Sequence, residues 1–106
     1  MIPELAALIE SIPTDSIVSR TFVRSGGVKG IVFGFAVGQE LSEHTSSQTA
    51  IIQIVSGEAD VTLGGDAHTM HAGSWVLMPP NLKHSVVAKT PLVMLLTMFS
   101  TQEVAS

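Results

Sequence analysis

From Ile17 onward the chain breaks into short runs rich in Val, Ile, Phe and Thr, separated by turn signals at Gly26-Gly27, Gly57, Gly64-Gly65, Gly73 and Pro79-Pro80-Asn81. Runs of this length, punctuated at this spacing, read as β-strands joined by tight turns. Glu58 to Leu63 gives the plainest case: Ala59, Val61 and Leu63 fall on one face, and Glu58, Asp60 and Thr62 on the other,. Ala50 to Val55 and Leu92 to Phe99 are apolar nearly throughout, as strands covered on both sides must be,. The fold class is therefore all-β. Many short strands favour a sandwich or a closed barrel, and closure removes exposed strand edges.

Only the start of the chain follows a different period. Leu5, Leu8, Ile9 and Ile12 recur at helical spacing, Pro3 suits a first turn and Pro13 stops the pattern, so a short N-terminal helix is expected,. With 106 residues there is enough chain for one hydrophobic core,. The expected organisation is a lead-in helix over 1–13, one barrel over 14–100 and a frayed tail over 101–106,.

Charge narrows the partners. Five Lys and Arg against nine Asp and Glu leave a net charge of −4, which argues against nucleic acid, whose phosphates need a basic face,. Without cysteine there is no disulfide, thiolate ligand or thiol nucleophile,. Met1 to Glu10 holds two acids and no basic residue, unlike a secretory signal, so the expected location is the cytoplasm,. The apolar run Leu92 to Phe99 is interrupted by Thr97 and far shorter than the ~20 residues that cross a bilayer, so no membrane span is expected,. Charged residues make up only 13% of the chain while 45% is hydrophobic; that apolar surplus suits a barrel interior plus a homodimer interface,.

Two motifs carry a family resemblance. Gly38-Gln39-Glu40-Leu41-Ser42-Glu43-His44-Thr45-Ser46, running on to Gly57, resembles the first motif of the cupins. Gly65-Asp66-Ala67-His68-Thr69-Met70-His71-Ala72-Gly73 followed by Pro79-Pro80-Asn81-Leu82-Lys83-His84 resembles the second, with His71 in place of its proline. The resemblance implies a double-stranded β-helix, a jelly-roll-like barrel. It is sharpest to a set of short bacterial cupins of unassigned reaction that share Ser42 to Thr45 and a strand like Leu95 to Met98.

The same resemblance implies an inward-facing metal site of three histidines and a carboxylate. His44 matches the first histidine and His84 the last, whereas Ser46 stands at the second and Ala50 at or beside the carboxylate. On a regular strand Ser42, Ser46 and Gln48 share the face of His44, Glu43 points away, and Glu40 has the right parity but lies about 13 Å off. Gln48 is thus the nearby candidate to complete a weak site for Fe, Mn, Ni, Cu or Zn, although imidazole and carboxylate are the preferred ligands of such ions. Phe33, Phe35, Ser46 and Ala50 are expected to line the pocket.

The bland readings stand beside these. His44 and His84 could be polar residues of a barrel that has lost its metal. His68 and His71 read as surface or turn residues, and Lys83 as a solvated charge facing away from His84. Trp75 reads as a core or interface anchor and the methionines as gap-filling core. No nucleophile elbow or phosphate loop occurs,. Three functions follow, in this order: a barrel binding a small organic ligand, with or without a weakly held divalent metal; a metal-dependent oxygenase or isomerase; and a structural barrel with no ligand and no cofactor.

Overall fold

The computed structural model describes residues 1–100. Nine strands form two antiparallel sheets. The first holds β1 (Ile17–Ser25), β2 (Val28–Phe35), β9 (Leu92–Phe99), β4 (Thr49–Ser56) and β7 (Trp75–Met78), in that spatial order. The second holds β3 (Glu40–His44), β8 (His84–Ala88), β5 (Glu58–Leu63) and β6 (Asp66–His71), in that order. The sheets face each other across one core that draws on both. Phe35, Ala50, Ile52, Ile54, Met78, Leu92 and Met94 come from one sheet, and Ala59, Val61, Met70, Val86 and Ala88 from the other.

Strand alternation accounts for this core. In β4, Ala50, Ile52 and Ile54 point inward while Ile51, Gln53 and Val55 point outward, and all three outward residues are half-buried. β4 and β9 hold inner places in the five-stranded sheet, but apart from Val93 their outward residues are only half-buried, so the expected cover on both faces is partial. β5 keeps its alternation, with Ala59 and Val61 fully buried. Each large side chain taken fully out of water contributes about 1.5–3 kcal/mol before chain entropy is set against it.

The N-terminal segment is a single 3-10 turn, Leu5–Leu8, rather than a longer helix. Glu4 makes no side-chain cap, and a helix this short gains too few bonds to offset its nucleation,. What orders the segment is the sheet beneath it. Gly30 and Gly34 leave notches on the outward face of β2, so that Phe22 closes over Gly30 while Ile9 and Ile12 close over Gly34. Val32, between the two notches on that face, is fully buried as a result.

Closure of the barrel is by side-chain packing. β1 and β7 remain edges of one sheet, and β3 and β6 of the other. Arg20 and Arg24, Glu40 and Glu43, and Asp66 and His68 keep three of those edges polar, and β7 is only four residues long,. At the closed end, Gly57 turns β4 into β5 with φ +90°, packed so tightly against the β8–β9 connection that a Cβ would overlap the carbonyl of Pro91. Thr90 Oγ1 accepts a hydrogen bond from the Glu58 amide at 3.0 Å in the same corner.

Candidate functional site at the barrel mouth

His44 is the last residue of β3 and His84 the first of β8, and the two stand directly opposite each other. A β-bulge aims them. Glu40 opposes Val87 and Leu41 opposes Val86, but three steps along β3 then match two along β8, so that Leu41 and His44 both turn inward,. A regular strand would have put Leu41 and His44 on opposite faces. The bulge also corrects the parity argument for Glu40, which points outward with Val87 and away from the His44 face.

The imidazoles meet edge to face, with centroids 4.1 Å apart at an interplanar angle of 60°. His84 is buried, with 6% of its surface exposed, while His44 is open to solvent. Each ring is held the same way. His44 Nδ1 lies 2.7 Å from the carbonyl oxygen of Ser42, and His84 Nδ1 lies 2.9 Å from that of Leu82. A carbonyl oxygen only accepts, so Nδ1 carries the proton in both bonds and Nε2 of the neutral ring is left as an acceptor. Among the described residues neither Nε2 has a partner, and no buried side-chain nitrogen lacks one, so His84 Nε2 must reach solvent.

The loop between β3 and β4 steadies the pair. Ser46 accepts the Asn81 amide on its carbonyl at 2.7 Å, which ties this loop to the turn that leads into His84. Its hydroxyl accepts the Gln48 amide at 3.1 Å, so Ser46 acts as a brace within its own loop. Ala50 is a core residue, 2% exposed, opposite Met78 and Met98. Phe35 is fully buried and Phe33 packs beside it with ring centroids 6.1 Å apart. Gln48 lines a cleft of about 350 Å³ under the β1–β2 hairpin, with Arg24, Lys29 and Met98, which neither histidine lines. Among the described residues no group of three or more His, Asp or Glu side chains could hold a metal ion. The donors present therefore do not fit a four-ligand metal centre.

Other sites differ from their sequence readings or were passed over. Trp75 is 57% exposed on the edge strand β7, not part of the core. It forms one wall of a second cleft, about 330 Å³, with Leu63, His68, Met70, Ser74 and Val76. His68 is thus a cleft residue on the barrel-lining row of β6, while His71 stays on the surface with its ring bonded to the Ala72 carbonyl. Arg24 and Lys29 belong to no sequence motif, yet stepping back by twos from Phe35 and Phe33 places Lys29 on the lining face,.

Comparison with known proteins matches residues 31–98 to the cupin domain family. The chain is a cupin. A conserved protein of unknown function from Streptococcus pyogenes is similar to this cupin at 30% identity, covering 85% of this chain and 79% of that one with a TM-score of 0.78. A cupin superfamily protein from Desulfitobacterium hafniense is similar at 25% identity, with coverage of 90% and 86% and a TM-score of 0.83. Salicylate 1,2-dioxygenase from Pseudoaminobacter salicylatoxidans shares the fold, with a TM-score of 0.76 at 14% identity, and this cupin spans 28% of that chain. No curated protein matches the sequence.

Proposed function

We propose that this cupin binds a small organic molecule at the barrel mouth, where His44 and His84 contact it directly through Nε2. The observation that carries the reading is the pair of Nδ1–carbonyl bonds on imidazoles whose centroids lie 4.1 Å apart, which fixes both rings and leaves both Nε2 atoms as acceptors. Preorganised polar groups are what small-molecule sites use for orientation. The same nitrogens could ligate a divalent ion, but with Ser46 bracing its loop and Ala50 in the core, such an ion would have two protein ligands and be held weakly,. That weighs against the metal-dependent oxygenase or isomerase.

The test is a thermal-shift screen of small organic acids, amides and sugars, with elemental analysis of protein purified without added metal. A ligand that raises Tm in the native chain but not in His44→Ala or His84→Ala supports the proposal. Stoichiometric metal retained through chelation, together with turnover of a substrate, would establish the enzyme instead. We also infer a homodimer through the outward face of β7, where Trp75 and Leu77 stand 57% and 50% exposed beside Ile51,. Light scattering should give twice the monomer mass, and Trp75→Ser should lower it.

A further inference from the structure

We propose that the cleft under the β1–β2 hairpin is an anion subsite that takes the carboxylate of a small organic acid. The inference rests on the small-molecule reading of the barrel mouth and gives that ligand its charge.

Strand register places the cleft. Arg24 opposes Lys29, Lys29 opposes Met98, Met98 opposes Ala50, and Ala50 opposes Met78, one row across all five strands. Residues directly opposite share a face, and Ala50, Met78 and Met98 belong to or pack on the core,. Arg24 and Lys29 therefore extend the barrel-lining face itself, at the end where β3 delivers His44 and β8 begins with His84.

Charge gives the cleft its ligand. Like charges directly opposite in an antiparallel pair repel. Among the described residues, which hold eight of the nine Asp and Glu, neither cation has a carboxylate within ion-pairing range, whereas Lys89 engages Glu58 at 3.6 Å and Asp60 at 3.9 Å. Lys29 is half-buried, with Met98 in the same cleft. Two cations are thus kept together on the lining face of an acidic protein with no counter-charge among the described residues. An arriving anion would relieve their repulsion. Gln48, which also lines the cleft, supplies an amide that donates to an oxyanion, and about 350 Å³ accommodates a small organic acid,. Ala50 lies two strands from Lys29, about 10 Å at the usual strand spacing,.

The experiment is a two-dimensional amide NMR titration of the full chain with succinate at low ionic strength. Saturable shifts are expected at the Gly26 and Gly27 amides and the Gln48 side-chain amide, with no comparable response to succinamide. Lys29→Met and Arg24→Gln should each weaken binding at least tenfold, and Lys29→Arg should restore it to within threefold. Lys29→Met should fold with an unchanged or higher Tm, so lost binding is not lost structure. Unchanged affinity in both variants, an equal response to succinamide, or inorganic phosphate binding tenfold tighter than succinate would overturn the proposal. The two readings fail separately. A silent hairpin beside a histidine-dependent ligand removes only this subsite, whereas a hairpin response without any histidine-dependent ligand removes only the role given to His44 and His84.

Discussion

The two ends of the barrel are built by the same strands on the same inward face, yet they differ in chemistry. At the closed end β2, β9 and β4 present Phe35, Leu92, Met94 and Ile54, while β5 and β8 present Ala59 and Ala88, all of them buried. Followed to the mouth, β2 reaches Lys29, β8 starts at His84 and β3 ends at His44. Alternation decides that these side chains point inward, and their identity decides whether the row is packing or recognition. The closed end carries the stability, which leaves the mouth free to hold polar groups that packing alone would not select.

Substitutions should separate the two ends. The largest stability loss belongs to Phe35→Ala, which empties a fully buried site and should cost about 3–5 kcal/mol by urea denaturation,. Loss below about 1 kcal/mol would mean the closed end is not the packed one. Gly57→Ala comes next at roughly 3 kcal/mol, because φ +90° strains any side chain and Pro91 blocks the added methyl,. An unchanged denaturation midpoint would show that this corner is not tight.

At the mouth the scale falls. Ser46→Ala removes the acceptor of the Gln48 amide in a part-buried loop and should cost about 1 kcal/mol,. The Asn81 amide keeps its bond to the residue 46 carbonyl in this variant, so a ligand that depends on His84 should bind within about threefold of the native chain,. A stability loss as large as that of Phe35→Ala would erase the distinction between the two ends.

Much of the closed end was legible from sequence because it depends on local alternation. Glu58 to Leu63 announces which residues of β5 are buried, and Gly57 and Gly64-Gly65 announce its limits. The cupin motifs likewise point to His44 and His84, whose rings the structure sets edge to face. What stayed hidden depends on partners distant in sequence. The bulge before His44 is a mismatch with β8, invisible in β3 alone, and it reversed the face assigned to Glu40. Leu5, Leu8, Ile9 and Ile12 have helical spacing, but Ile9 and Ile12 meet the notch at Gly34, and only one 3-10 turn forms. Strand parity places Gln48 with the histidines, whereas in the structure it lines the hairpin cleft with Arg24 and Lys29. The expected tail over 101–106 lies outside the described residues.

The central claim is that both mouth imidazoles are locked through Nδ1 with Nε2 open to a ligand. Long-range proton–nitrogen NMR of the histidine side chains reads this directly, because protonated and unprotonated ring nitrogens resonate far apart. In the neutral rings of His44 and His84 the proton should sit on Nδ1, and a ligand that raises Tm should shift both Nε2 signals while leaving His71 unmoved. A proton on Nε2 in either ring, or Nε2 signals that ignore such a ligand, would contradict the account.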